Sequence, residues 1–275
     1  MGIHDFIIEH EPLIRISVFL GFLTLMGLWE LLAPRKAPTI SKAYRWVNNL
    51  SLIFFNGFVT KLIFPIVSTG MAIVASNRGW GLFNIYELPL VVSVVLFIVL
   101  MDLLIYFQHR LVHAVPLLWR LHKVHHADLD YDTSTGARFH TLEILFSMCI
   151  KLIAIALLGP AVIAVILFEV ILNASAMFNH GNVKLPKMVE NVLRLFIVTP
   201  DMHRVHHSVE DDELNSNFGF NISLWDRIFG TYKEDSEAGQ SGMTIGLKEF
   251  REKREANMIF SMLLMPFKSK NEPKR

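Results

Sequence analysis

Cysteine is all but missing: Cys149 is the single thiol in 275 residues, set in the apolar run SMCIKLIAIALL. One cysteine supports neither a disulfide framework nor a thiolate metal site, and Cys149 reads as a small hydrophobe. Charge is also scarce. Charged residues make up 19% of the chain, below the roughly 25% usual for soluble domains, and mean hydropathy is +0.41. A net charge of +1 offers no basic surface for nucleic acid. The N-terminus, MGIHDFIIEHEPLIR, has no basic region ahead of its apolar stretch. A cleaved signal peptide is not expected there, and the first apolar run reads as a retained anchor.

What the chain does have is long apolar runs, which argue for membrane spans rather than amphipathic surface helices. The first runs from Leu13 to Leu32, with Arg15 placed near one end to snorkel. A basic stretch follows, with Arg35, Lys36, Lys42 and Arg45. The second, Val47 to Ala75, contains Asn56, Gly57, Lys61 and Pro65, and reads as one tilted helix or two short ones. The link NRGWGLFNIYE carries Trp80 and Tyr86, types favoured at the membrane interface. Leu88 to Phe107 is the cleanest span. Leu142 to Met177 is apolar again but broken by Gly159-Pro160, which predicts a helical hairpin returning to the side it left. Beyond His180 the chain is polar, apart from short amphipathic pieces such as LRLFIVT and NMIFSMLLMPF.

Four basic residues between Arg35 and Arg45, against none in the N-terminal tail, put that loop in the cytoplasm by the positive-inside rule. Counting onward, His109 to Arg138 is cytoplasmic. The hairpin places everything from His180 on the same side.

Ten of the twelve histidines fall between 109 and 207. They form HRLVH (His109, His113), HKVHH (His122, His125, His126) and HRVHH (His203, His206, His207), with His140 in RFHTLE and His180 in FNHGN. Residues three or four apart share a helix face, so each cluster can aim several rings at one point. The adjacent histidines of each HH pair project about 100° apart, and one can serve each of two metals. His140 and His180 flank the hairpin, where they could close a site from the membrane side. His4 and His10 have no partner in sequence and read as surface residues.

Ten imidazoles exceed what one ion can use. Zinc prefers four ligands, often thiolate. Imidazole also suits iron, copper and nickel, and two six-coordinate ions with about five nitrogens each fit a redox pair that binds dioxygen. Ligand arithmetic favours two irons. Carboxylates that could orient the rings are Asp102, Asp128, Asp130, Asp132, Glu143 and Asp201. Asp102 stands out because it lies within a span, seven residues before His109.

The set HRLVH, HKVHH and HRVHH, the last after a hydrophobic hairpin, resembles the signature of the fatty acid hydroxylase and sterol desaturase superfamily of membrane di-iron oxygenases. RFHTLE, NHGN and NSNFGFNISLWDRIFGTY are similar to its accompanying segments, although Thr141 stands where many relatives have proline. The resemblance covers roughly residues 90 to 233. It implies an all-α polytopic membrane protein with a cytosolic helical cap over a dimetal site. It implies His109, His113, His122, His125, His126, His203, His206 and His207 as ligands, with His140 and His180 as additional ones. On this reading residues 1–87 are an N-terminal transmembrane region, 88–233 the catalytic unit and 234–275 a polar cytosolic tail. The implied activity is hydroxylation or desaturation of a lipid with dioxygen. Electrons are expected from a separate donor, whether cytochrome b5, ferredoxin or a reduced pterin. Two rivals remain open: a metal transporter or sensor, which needs ligands near the bilayer midplane, and a metal-dependent lipid hydrolase, which needs a general base.

Overall fold

Prolines, glycines and capping side chains cut the apolar runs into helices. The computed structural model describes residues 3–86 and 88–268; the side chain of His4, the boundary residue Glu87 and residues 269–275 of the tail lie outside it. Helix α1 (Ile3–Glu9) leads into α2 (Glu11–Leu32), which has Pro12 in its first turn. Helix α3 (Lys42–Ile63) starts on Ser41, whose hydroxyl accepts from the Tyr44 N–H, and stops before Pro65. Helix α4 (Ser68–Arg78) then ends on the left-handed Gly79. The second apolar region is therefore two helices, since Pro65 cannot continue the first. After the short α5 (Leu82–Ile85), α6 (Leu90–Ala114) runs unbroken and carries His109 and His113 near its end.

Pro116 opens α7 (Pro116–His126), and Gly159-Pro160 separates α8 (Thr141–Leu158) from α9 (Val162–Asn179). Gly159 has φ 62°, and a Cβ there would lie 2.1 Å from the Trp80 carbonyl oxygen. The position needs glycine on both counts. Short helices follow: α10 (Lys187–Leu193), α11 (Pro200–His206), α12 (Asp211–Leu214) and α13 (Leu224–Ile228). No strand occurs among the described residues, only isolated bridges.

Among the described residues, five stretches are long and apolar enough to cross a membrane: Glu11–Leu32, Lys42–Ile85, Leu90–Ala114, Thr141–Leu158 and Val162–Asn179. Helix α9 packs on α2 and α6, while α8 packs on α3 and α4. The arms either side of Gly159 therefore lean mainly on other helices. They nonetheless return to one end, where His140 faces the Leu263 carbonyl and His180 faces His125. Phe97, Met101, Ile155, Ala164, Val165 and Phe168 form the core between the long helices. One set of charges among these helices forms an ion triad: Glu169 meets Arg15 at 2.5 Å and Lys151 at 3.1 Å, tying α2, α8 and α9 together.

A second core, including Leu52, Trp119, Val124, Leu247, Phe250 and Met262, builds the cap above them. Leu247, Phe250, Ala256, Met262 and Met265 bring the segment that includes the amphipathic piece NMIFSMLLMPF into that core. Beside it lies a buried ion network. Arg45 donates to both oxygens of Asp128 (2.8 and 2.7 Å) and to Asp132, and Asn257 donates to Asp128 at 2.7 Å. Burial pushes the Asp128 carboxyl up, but Arg45 and Arg138 overcome this and hold it well below the usual carboxylate range.

Candidate metal centre

The histidines sort into two buried groups. His109, His113, His122, His126 and His206 form one, and His125, His180, His203 and His207 the other. Within each group the candidate ligand nitrogens all lie within 4.8 Å of one another. The helical spacing explains the sorting. Each i, i+4 pair (109/113, 122/126, 203/207) stays together on one face, while the third member of each triplet, His125 or His206, turns to the other group. The two groups adjoin, with the His126 and His207 rings stacked at 4.5 Å.

Proton bookkeeping shows what the rings lack. His109 Nδ1 lies 2.8 Å from the Phe218 carbonyl oxygen, and His206 Nδ1 lies 2.7 Å from that of Ser216. A carbonyl only accepts, so both Nδ1 atoms carry the proton, and a neutral imidazole then has a bare lone pair on Nε2. Those two Nε2 atoms face each other at 3.0 Å. Two lone pairs at that distance repel unless a cation lies between them. In the other group the buried His207 Nε2 has no hydrogen-bond partner, and His180 Nε2 lies 3.2 Å from His125 Nε2 and 3.1 Å from His203 Nε2. The residues fit a pair of metal ions bound by imidazole nitrogen.

The rings are also held uncharged, as ligation requires. Burial, reinforced by neighbouring histidines, puts His125, His126, His203 and His207 well below the usual range. Burial brings His180 and His206 down to about 3. Phe139 stacks on His125 at 4.4 Å, Tyr131 on His180 at 5.6 Å, and Phe218 meets His109 edge-on at 5.5 Å. These aromatics keep water from the ring faces.

His140 is not brought to either group. Its Nδ1 accepts from the Leu142 N–H at the start of α8, and its Nε2 lies 3.2 Å from the Leu263 carbonyl. An N-cap residue must turn its side chain back over the first helical turn, and that directs this ring away from the others. His140→Asn, which keeps a capping oxygen, should retain the full metal content. A fall to the level of a ligand variant, read by elemental analysis, would return His140 to the ligand set. His10 stacks on Phe6 between α1 and α2, apart from the cluster.

Of the candidate carboxylates, Glu143 meets a histidine: its Oε1 lies 2.6 Å from His122 Nδ1. The pair sets the His122 tautomer with Nε2 toward the group. Glu143→Gln should lower metal affinity about 10- to 100-fold, measured by chelator competition; unchanged affinity would show that the contact does not orient the ring. The other candidates serve the scaffold. Asp128 and Asp132 bind Arg45, Asp130 takes the Thr39 and Ile40 N–H groups, and Asp201 pairs with Arg35. Asp102 touches no histidine; it accepts from Asn221, Ile222 and Trp225.

Sequence reasoning missed the carbonyls of Ser216, Phe218 and Ala176, the last 2.8 Å from His180 Nδ1. Backbone oxygens leave no mark in a sequence. One indirect sign exists, because Asn217 between two of them has φ 50°, and asparagine is among the few residues that tolerate that region.

A family model described as fatty acid hydroxylase matches residues 94–231. Ornithine lipid hydroxylase OlsE of Rhizobium tropici is 33% identical over 144 residues, 52% of this chain and 43% of its own length. Human alkylglycerol monooxygenase is 29% identical over 150 residues, 53% of this chain and 32% of its own. Human lathosterol oxidase is 26% identical over 200 residues, 72% of this chain and 64% of its own. The matched region thus spans less than half of the first two relatives. No solved structure shows significant similarity to the chain.

Proposed function

Since this chain belongs to the fatty acid hydroxylase family, we propose that it is a membrane-bound di-iron oxygenase that hydroxylates or desaturates an unactivated C–H of a lipid. The observation that carries the reading is the pair of adjacent, buried, all-imidazole groups at one end of a set of membrane-length helices. His109, His113, His122, His126 and His206 would hold one iron, and His125, His180, His203 and His207 the other. When bound, the irons supply the redox chemistry that activates dioxygen, with electrons from a separate reductant. The chain's own residues set the conditions. Glu143 and the carbonyls of Ser216, Phe218 and Ala176 hold Nδ1 protons and so present Nε2 lone pairs inward. Phe139, Phe218 and Tyr131 exclude water.

The relatives' names point to ornithine lipid, alkylglycerol and lathosterol substrates. A lipid amphiphile is the class common to them, and it reaches the site from the bilayer. The transporter reading is disfavoured because Arg15, Glu169 and Lys151 neutralise one another in an ion triad and Asp102 is engaged by backbone and side-chain N–H groups, rather than lining a path. The hydrolase reading is disfavoured because the carboxylate against the rings, Glu143, is engaged with His122.

Iron-loaded protein in lipid should contain two irons per chain and consume oxygen when given reductant. Lipids of cells with and without the gene should then differ by one added oxygen or by two lost hydrogens. Unchanged lipids together with no oxygen uptake by the loaded protein would overturn the proposal. We also propose that the histidine cap faces the cytoplasm, a reading that the basic stretch from Arg35 to Arg45 supports through the positive-inside rule. Single cysteines replacing the exposed Lys248 and Asn77, in a Cys149→Ser background, should then be labelled from the cytoplasmic and opposite faces respectively. Labelling of both from one face would refute this topology.

A further inference from the structure

Asp102 is a carboxylate halfway along α6, the most apolar of the long helices. It lies seven residues from His109, roughly 10 Å along the axis at 1.5 Å per residue. Its four acceptor contacts come from the cap segment, not from another long helix. Oδ1 accepts from the Asn221 backbone and side chain (3.1 and 2.7 Å), and Oδ2 from the Ile222 N–H (3.0 Å) and Trp225 Nε1 (2.8 Å).

Neighbouring contacts trace the path of that segment along α6. Phe218 sits at the level of His109 through its carbonyl. Asn221 to Trp225 sit at the level of Asp102. Phe229 then stacks on Tyr106 at 5.3 Å, and Thr231 meets the Tyr106 hydroxyl at 2.8 Å. The chain therefore descends beside α6 between 218 and 225 and climbs back by 231. A second stretch accompanies it at depth, because Val198 N–H donates to the Asn221 carbonyl and Ser223 N–H to that of Phe196.

We infer that residues 194–198 and 220–229 form a re-entrant platform inserted among the acyl chains of the bilayer leaflet on the cap side. Three features identify lipid as its occupant. The outward side chains Leu195, Phe196, Ile197, Leu224, Ile228 and Phe229 are 37–65% exposed. The charged residues of the platform are engaged rather than presented outward: Arg194 pairs with Glu190, Asp226 accepts from Phe218, Gly219 and Thr231, and Arg227 donates to the carbonyls of Ser223 and Arg194. The patch is also continuous with α6, whose own Phe107 and Leu111 are exposed beside it. Irregular backbone survives at membrane depth only where its N–H groups find partners within the protein, and this gives Asp102 its role. A charge inside a span is costly unless it is fully engaged, and here it receives the N–H groups that the descending loop would otherwise expose. The same loop supplies the Ser216 and Phe218 carbonyls to His206 and His109, so the lipid surface and the five-histidine group share one piece of chain.

The test places single cysteines at Phe196, Ile228 and, as a cap reference, Asp212 in a Cys149→Ser background. Each carries a fluorophore on the metal-loaded protein in nanodiscs with one copy per disc. Doxyl-labelled lipids should quench the 196 and 228 labels several-fold more than the 212 label, and aqueous iodide should show the reverse order. Iodide quenching at 196 and 228 equal to that at 212 would overturn the inference. Protection of both from lipid and from iodide would overturn it too, because the patch would then be covered by protein. If either variant fails to retain metal, Leu224→Cys reports on the same platform.

Discussion

Alanine at His206 should leave a folded chain that has lost metal from the five-histidine group and turns over no lipid. His206 Nε2 faces His109 Nε2 at 3.0 Å, and its Nδ1 is anchored on Ser216, so the ring is held as a fixed donor. Loss of a hydrogen-bond partner behind a metal ligand already costs about 10- to 100-fold. Loss of the ligand itself should exceed the upper figure in turnover. His125→Ala removes the matching ring from the four-histidine group, where it lies 3.2 Å from His180. If both groups serve one reaction, both variants lose turnover, and each loses metal chiefly from its own group. Iron per chain by elemental analysis, set beside oxygen-dependent product formation, decides the matter. Full metal and full turnover in either variant would remove that histidine from the ligand set.

Asp128→Asn is expected to be the most destabilising single change outside the histidines. Both carboxylate oxygens accept from Arg45, and Asn49, Thr135 and Asn257 also donate to them. Arg138 lies 3.7 Å away and loses its counter-charge as well. Arg45, Asp128 and Arg138 have no solvent-exposed surface, so water cannot replace the missing charge. Breaking one partner of a buried ion pair costs about 3–5 kcal/mol. An amide would also have to point an NH2 group at donors. Thermal unfolding of the metal-free protein in detergent is the measurement, because it separates a structural loss from a loss of metal. An unchanged midpoint would show that the Arg45–Asp128–Arg138 network does not hold the cap together.

That expectation failed for a general reason. Proximity in sequence placed Asp128, Asp130 and Asp132 beside HKVHH, but α7 ends at His126 and the following loop turns these carboxylates toward α3 and the 33–41 loop. Glu143, seventeen residues beyond His126, is the one that reaches a histidine ring. Asp102, the leading candidate to orient a ring because it lies within a span, touches no histidine; its partners come from a loop more than a hundred residues later. His140 shows the same limit on a smaller scale. Its position in RFHTLE suggested a ligand, whereas the demands of an N-cap turned it aside. In the second apolar region, Pro65 allowed one helix or two, and the chain took two.

The sequence by itself determined the helices, the membrane-length runs, the return at Gly159-Pro160 and the all-nitrogen character of the centre. These rest on local rules: 3.6-residue periodicity, the stops imposed by proline and glycine, and the ligand chemistry of a chain with one cysteine. The roughly 100° between adjacent helical residues also fits the parting of the two rings of each HH pair into different groups. Only the tertiary structure decided which nine rings converge, which carbonyls hold their protons, and that a carboxylate within a membrane helix receives a descending loop. Those outcomes depend on contacts between segments far apart in the chain, through backbone groups that are chemically alike at every position and so leave no trace in the order of residues.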